Sequence, residues 1–159
     1  NDGNFAKITI NEVPVEMSPN ENDNYRGIHL VVINNITGMI ETKEVFDTYQ
    51  SSDKIDKFID NHSSIPEGHI IVAACKDECA NNLSDKAKEW FKGHGMFMIG
   101  TLGYRQGYSA ISTSGTGKAM QNCSDGQNRH PSVQQIFPAG DMPSRIAEGK
   151  KRSSSQMGY

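Results

Sequence analysis

Two nearly continuous apolar runs, at residues 28–33 and 70–75, constrain the fold of this chain more than any other feature. The first reads Ile-His-Leu-Val-Val-Ile and the second reads Ile-Ile-Val-Ala-Ala-Cys. Short apolar runs without alternation are typical of strands that are covered on both faces. We therefore expect a sheet with another layer of structure packed against each side.

Two short amphipathic helices are predicted near these strands. Ser51 or Ser52 would cap the first helix, residues 53–61, and Ser84 would cap the second. Each helix carries an apolar stripe for the interior, formed by Ile55, Phe58 and Ile59 in the first and by Ala87, Trp90 and Phe91 in the second. Strands that alternate with helices in this way indicate a mixed α/β (α+β) packing of sheets and helices.

Further strands are expected at 5–10, 13–17, 39–46, 96–102 and 108–113. From residue 115 onward the regular pattern disappears into sequence rich in Gly, Ser, Asn, Gln and Pro. The length of 159 residues suits one domain. The sequence therefore predicts a single domain, 1–159, with an irregular C-terminal extension over residues 118–159.

Charge and hydropathy argue against nucleic-acid binding and membrane insertion. The net charge is -3, and the only dense basic run is Lys150-Lys151-Arg152 near the C-terminus. Such a chain has no basic field to attract phosphate backbones. No apolar stretch approaches the roughly 20 residues that a helix needs to span a bilayer.

Two features favour a location outside the cell. The chain starts at Asn1 without a methionine, as a processed secreted protein does, although a trimmed chain would start in the same way. Four N-x-Ser/Thr sequons offer acceptors for N-glycosylation, at Asn35, Asn61, Asn82 and Asn122. We expect a secreted protein.

The three cysteines allow one disulfide and one further thiol. Cys75 ends an apolar run, which favours a buried core thiol. Cys79 and Cys123 lie in polar, loop-like sequence, so we expect a bridge between these two. A Cys75–Cys123 bridge and a bridge between subunits remain open.

Several motifs in order along the chain resemble ILEI-type domains, named for an interleukin-like inducer of the epithelial–mesenchymal transition. The resemblance covers residues 25–117 and implies a fold of two packed β-sheets with short helices outside. It is carried by Tyr25 to Asn34, Thr37-Gly38, Val45 to Tyr49, Ile65 to Ile70, Lys76-Asp77-Glu78, Leu83 with Ala87, Gly103-Tyr104-Arg105, and the glycines Gly115 and Gly117.

Within this family the motifs are most similar to the glycan-binding stem domains of protein O-mannose N-acetylglucosaminyltransferases. That resemblance places sugar-contacting residues at Arg26, Asp77 and Arg105. Planar charged groups of this kind hold adjacent sugar hydroxyls through paired hydrogen bonds. The alternative is that Asp77 and Arg105 form a structural ion pair.

The pattern departs from the family after Arg105, where Gln106 replaces an acid and Tyr108 replaces a tryptophan. The sugar that the stem domains prefer is therefore not carried over. We include Glu78, Gln106 and Tyr104 in the predicted carbohydrate site. Tyr104 and Tyr108 are candidate platforms for stacking on a sugar.

The C-terminal extension suggests a calcium site. Asn122, Asp125, Asn128 and Asp141 supply oxygen atoms in Gly-containing sequence, and calcium takes six to eight such ligands. The alternative is a polar turn without a metal.

These observations lead to one main functional expectation and one alternative. The main expectation is a secreted, non-catalytic lectin, a homodimer that binds terminal, galactose-type sugars of glycans with the help of calcium. The chain is also similar to galactose-binding lectins of sea anemones, and it contains no nucleophile elbow, phosphate loop or zinc-protease motif. The alternative is a secreted, cytokine-like signalling protein that acts through a protein receptor.

Overall fold

The computed structural model of the protein describes residues 6–127, 131–138 and 152–158. Its helices are α1 (Asp53–Asn61), α2 (Asp85–Gly93) and a 3₁₀ helix (Phe97–Thr101). Its strands are β1 (Lys7–Ile10), β2 (Val13–Pro14), β3 (Gly27–Ile33), β4 (Ile40–Phe46), β5 (Ile70–Lys76), β6 (Gln106–Thr113), β7 (Lys118–Gln127), β8 (Val133–Pro138) and β9 (Arg152–Gly158). The expected α+β class is confirmed.

The two apolar runs form neighbouring strands of a five-stranded antiparallel sheet, whose order is β4-β3-β5-β6-β7. In the pairing of β3 with β5, Val31 lies opposite Val72. Every residue of β3 is buried, and so is every residue of β5 except Lys76. The absence of alternation in these runs therefore has its expected cause, cover on both faces.

A different layer covers each face of this sheet. On one face Leu30 and Val32 belong to a core that includes the inner residues of α1 and α2. On the other face Val31 packs in a second core with Ile8 and Val133 of the smaller sheet. Because successive side chains of a strand point to opposite faces, one uninterrupted run supplies both cores. Two packed sheets with helices outside are thus confirmed.

The extension over 118–159 contains more regular structure than its composition predicts. Residues 118–127 form β7 at the edge of the large sheet, and β8 and β9 complete a four-stranded sheet of order β2-β1-β9-β8. β9 pairs with β1, from the other end of the chain. The expectation of irregular structure was therefore wrong for these three segments. β7 is an edge strand of the large sheet, and β9 pairs with strands that are distant in sequence, so a local sequence pattern does not identify them.

The expected strand at 96–102 is a 3₁₀ helix instead. Met96 and Ile99 are buried, whereas Phe97 is 56% exposed. Burial that recurs at the third residue matches the three-residue turn of a 3₁₀ helix and not the alternation of a strand. The strand prediction at this position was wrong.

Both predicted helices are present, and hydrogen bonds hold them together. The Ser84 hydroxyl caps α2 by accepting the Ala87 N–H at 3.0 Å, and it also donates to Asp56 of α1 at 2.6 Å. The Trp90 indole N–H donates to the His62 carbonyl at 2.9 Å, just beyond α1. Within the described ranges no helix has the length and apolar character that crossing a membrane requires.

Alanine substitutions of two buried serines of β6 are expected to have opposite effects on stability. The Ser109 hydroxyl has no hydrogen-bond partner among the described residues, whereas the Ser112 hydroxyl donates to the His94 carbonyl. Since an unpaired buried hydroxyl is costly, we expect Ser109→Ala to raise the free energy of unfolding by about 1 kcal/mol. Ser112→Ala should lower it by about 1 kcal/mol. Urea denaturation measures both, and a loss for Ser109→Ala equal to that for Ser112→Ala would contradict the prediction.

Candidate functional site

The topology brings Arg26, Asp77 and Arg105 to one end of the five-stranded sheet. Arg26 immediately precedes β3 and Asp77 immediately follows β5, and Gly27 lies opposite Lys76 in the antiparallel pair. Arg105 immediately precedes β6, which is antiparallel to β5. The ends of three adjacent strands therefore position the three predicted residues as neighbours.

Arg26 forms an ion pair with Asp47, a contact that the sequence did not predict. Its Nε donates to one carboxylate oxygen of Asp47 at 2.9 Å and its Nη2 donates to the other at 2.7 Å. The guanidinium also lies 4.6 Å from the ring centroid of Tyr49. The Asp47 side chain is fully buried, and that of Arg26 is 28% exposed. The pair therefore fixes the start of β3 to the end of β4.

The charge state of Asp47 depends on this contact. Burial by itself would raise the pKa of Asp47, but hydrogen bonds from Arg26 and Asn22 and the charge of Arg26 outweigh burial and lower it. The hydrogen bond to Asp47 raises the pKa of Arg26, and the charge of Asp77 contributes to that rise. Asp47 is therefore an ionised, structurally engaged carboxylate.

Asp77 and Arg105 form a second ion pair, which is open to solvent. The Arg105 Nη2 lies 3.0 Å from the Asp77 Oδ1, and the two side chains are 30% and 31% exposed. Both residues have a positive φ, 64° at Asp77 and 56° at Arg105. This backbone region is strained for residues other than glycine, and such residues concentrate at functional sites. We call the surface formed by Asp77, Tyr104 and Arg105 the Asp77–Arg105 shelf.

Glu78 supports this shelf from below. Its carboxylate, in a residue that is 2% exposed, accepts the backbone N–H groups of Ala80, Asn81 and Arg105 at 2.5–2.6 Å. A side chain in this position has little surface to offer a sugar. Glu78 instead links the loop after β5 to the backbone of Arg105.

The remaining predicted contacts differ in accessibility. The Gln106 amide accepts the Gly103 N–H at 2.8 Å and donates to the Ser124 carbonyl at 2.5 Å, so its polar atoms join two loops. Tyr104 is 57% exposed, and its ring is available for stacking. Tyr108 is buried in the core and cannot serve as a platform.

The cysteines pair differently from the expectation. Cys75 and Cys79 form a disulfide with their Cα atoms 6.0 Å apart, and Cys123 is the free thiol. The loop between them includes Asp77, whose φ is 64°. Cys123 lies on β7 with β6 in between, about 10 Å from β5 at the usual strand spacing. The expected Cys79–Cys123 bridge was therefore wrong, and the disulfide encloses Asp77 and Glu78.

The calcium hypothesis is not tested by the structure, which describes only part of the predicted ligand set. Asn122 and Asp125 lie on β7 with exposed side chains, whereas Asn128 and Asp141 fall outside the described residues. Within the described ranges no three His, Cys, Asp or Glu side chains group together as metal ligands. Calcium stays a prediction, which unchanged ligand binding in excess chelator would contradict.

Asp47 and Tyr49 are the site residues that sequence reasoning missed. Both lie in the Val45 to Tyr49 motif, but no role was assigned to them. One signal was present, because Asp47 directly follows a strand that returns antiparallel to the strand after Arg26. Gly27 makes the approach possible, since its φ is 112° and a Cβ there would collide with the Phe46 carbonyl.

Comparison with known proteins identifies the family of this chain. Residues 26–116 match the sequence model of the family described as interleukin-like EMT inducer, ILEI. The chain belongs to the ILEI family. The matched region contains both of these ion pairs and the disulfide, whereas the strands β1, β2, β7, β8 and β9 lie wholly outside it.

Three relatives are similar to this chain over part of their own length. Cell migration-inducing and hyaluronan-binding protein of Mus musculus is 30% identical over 91 residues, which are 57% of this chain and 7% of that protein. Protein FAM3D of Mus musculus is 27% identical over 97 residues, 61% of this chain and 43% of the relative. Protein FAM3C of Xenopus laevis is 30% identical over 112 residues, 69% and 46% respectively. The chain thus spans less than half of each relative.

Proposed function

We propose that this ILEI chain is a secreted, non-catalytic signalling protein that binds a protein partner through the Asp77–Arg105 shelf. The family match over residues 26–116 carries the proposal, because it includes the whole shelf and the family is described as interleukin-like. Similarity to FAM3D and FAM3C supports the signalling alternative over the lectin expectation. The relatives do not support the expected galactose-binding lectin.

The rigidity of the shelf supports a role in recognition. The Cys75–Cys79 disulfide and the Glu78 carboxylate hold the loop that carries Asp77, and Glu78 also holds the backbone of Arg105. A partner therefore meets charges that are already in position, which reduces the ordering cost of binding. Asp77 and Arg105 both have a positive φ, which costs about 1–3 kcal/mol for a residue other than glycine, and residues of this kind cluster at functional sites.

Glycan binding at the same shelf is the second candidate. Asp77 and Arg105 can pair with adjacent hydroxyls, and the exposed Tyr104 ring can cover the apolar side of a sugar. One relative that matches over 57% of this chain is named a hyaluronan-binding protein. Glycan binding would use the same Asp77–Arg105 shelf, with a sugar in place of a protein partner.

Binding to intact cells tests the shelf with a matched control. Asp77→Asn with Arg105→Gln removes the shelf charges, and Asp60→Asn with Lys86→Gln removes another exposed ion pair, 2.6 Å long, between α1 and α2. We expect the shelf variant to bind cells at least about tenfold more weakly, a loss near 1.4 kcal/mol, and the control to bind like the native chain. Equal binding of all three proteins would overturn the proposal.

The same variants separate recognition from structure. Exposed or half-exposed ion pairs contribute at most about 1 kcal/mol to stability. We therefore expect the melting temperature of the shelf variant to stay near that of the native chain. A large loss of melting temperature, with binding of the folded fraction unchanged, would instead make Asp77–Arg105 a structural ion pair. A glycan array on the native chain assigns the ligand chemistry, since a strong sugar signal would favour the second candidate.

A further inference from the structure

We propose a second binding site, at the opposite end of the five-stranded sheet, that takes a lysine or arginine side chain of a partner polypeptide. The site is a depression beside the turn between β6 and β7. That turn is joined to the segment before β5 by hydrogen bonds, from the Gly68 N–H to the Ser114 carbonyl and from the Ser114 N–H to the His69 carbonyl. The length of β5 separates it from the Asp77–Arg105 shelf by about 20 Å.

The depression has the size of a ligand site. Its volume is about 590 Å³, within the range of small-ligand pockets. Three segments meet there: residues 63–65 after α1, the last turn of α2, and residues 114–117. We call it the α2-end cavity.

An apolar floor lies under polar walls. Ile65 and Trp90 are each 8% exposed at the bottom of the cavity. The Trp90 ring is fixed by its hydrogen bond to His62 and by an edge-on contact with Phe91, whose ring centroid is 5.2 Å away. Such a floor suits the aliphatic stem of a lysine or arginine, which buries its carbon atoms and keeps its charge at the rim.

The electrostatics of the walls favour a cation. Glu89 is exposed and is the only charged side chain among the described lining residues at neutral pH. The other titratable lining group is His94, and burial lowers the pKa of its imidazole, so it is neutral there. The carboxyl end of α2, which carries partial negative charge, lies at the cavity because Gly93 and His94 line it.

Gly93 provides a way to close the cavity without disturbing the fold. A Cβ built on Gly93 would meet no atom within 4 Å, and its φ lies outside the left-handed region. A larger side chain there would occupy the space of the ligand. Because most residues favour a helix more than glycine does, Gly93→Leu should fold at least as well as the native chain.

A titration followed by nuclear magnetic resonance tests the site. The probes are acetyl-Gly-Arg-Gly-amide and its citrulline counterpart, which has nearly the same shape without the charge. We expect the arginine peptide to give saturable shifts at the Gly93 and Gly117 amides and at the Trp90 indole N–H. The citrulline peptide should bind at least about tenfold more weakly, as expected when one charged contact is lost.

Variants identify the cause of the shifts. Glu89→Gln should weaken the arginine peptide by about tenfold, Gly93→Leu should remove the shifts, and Glu44→Gln on β4, also an exposed acid, should change nothing. The shelf variant should bind the peptide normally, so failure of this site and failure of the shelf are distinguishable. The proposal would be overturned if both peptides bound equally, or if the shifts persisted in Gly93→Leu. It would also be overturned if a methyl glycoside shifted these amides and the arginine peptide did not.

Discussion

Replacing Arg26 with alanine is expected to lower the free energy of unfolding by about 3 kcal/mol. The physical reason is Asp47, whose buried carboxylate receives two hydrogen bonds from Arg26 and one from Asn22 at 2.8 Å. Without the guanidinium, a buried charge loses its counterion. The expected loss lies at the low end for such pairs because the Arg26 side chain is partly exposed.

The pH dependence of this loss identifies its source. The pKa of Asp47 is lowered in the native fold, so its contribution is present above the ordinary value, about 3.9, and is lost as the pH falls through the folded-state value. In Arg26→Ala the buried Asp47 carboxylate keeps the hydrogen bond from Asn22 but has lost its counterion, so protonation relieves the variant. We therefore expect urea denaturation to show a difference from the native chain that is large at pH 7 and smaller at pH 3.

Lys86→Gln is the control, because Lys86 forms an exposed ion pair with Asp60. It should change the stability little at either pH. If Arg26→Ala were as stable as this control, Arg26 would not be a structural residue. It would then be free to contact a ligand, as the resemblance to glycan-binding stem domains implies.

The second large effect is expected at Glu78. Glu78→Ala leaves the N–H groups of Ala80, Asn81 and Arg105 without their carboxylate acceptor, at a cost of about 1–3 kcal/mol for each group that water cannot reach. Water can reach part of this loop, so we expect a total loss of about 3 kcal/mol. Cell binding should also fall in the folded fraction, because Arg105 loses its backbone anchor.

Two substitutions bracket the effect at Glu78. Glu78→Gln keeps one oxygen acceptor and should lose less stability than Glu78→Ala, while Glu44→Ala, at an exposed acid, should lose almost none. Urea denaturation and cell binding are measured on all three variants. A Glu78→Ala protein with native stability and reduced binding would mean that Glu78 contacts the ligand directly, as the sequence analysis expected.

The parts of the fold that the sequence predicts are those with a strong local pattern. Uninterrupted apolar runs identify β3 and β5, and apolar stripes at helical spacing identify α1 and α2. The Ser84 cap of α2 is also present, whereas Ser52 makes no capping hydrogen bond at the start of α1. The prediction of a strand at 96–102 was wrong because apolar residues two and three positions apart are hard to distinguish over one short segment. β9 could not be predicted, since its partners are β1 and β8 and neither pairing leaves a local signal.

The sequence likewise predicted some features of the candidate site and not others. Family motifs and strand ends predict that Arg26, Asp77 and Arg105 lie together, and the structure brings them together. The engagement of Arg26 with Asp47 joins residues 21 positions apart, and the burial of Glu78 depends on how its loop turns. The Cys75–Cys79 bridge closes a short loop that has a positive φ at Asp77, and the composition around the cysteines does not reveal such a turn.

The most direct measurement of the central claim is equilibrium binding of the labelled chain to cells stripped of surface glycans by glycosidases and hyaluronidase. A signalling protein that recognises a protein partner through the Asp77–Arg105 shelf should bind these cells with unchanged affinity. The same binding should disappear after protease treatment and in the Asp77→Asn, Arg105→Gln variant. Loss of binding after removal of the glycans alone would contradict the account and make the chain a carbohydrate-binding protein.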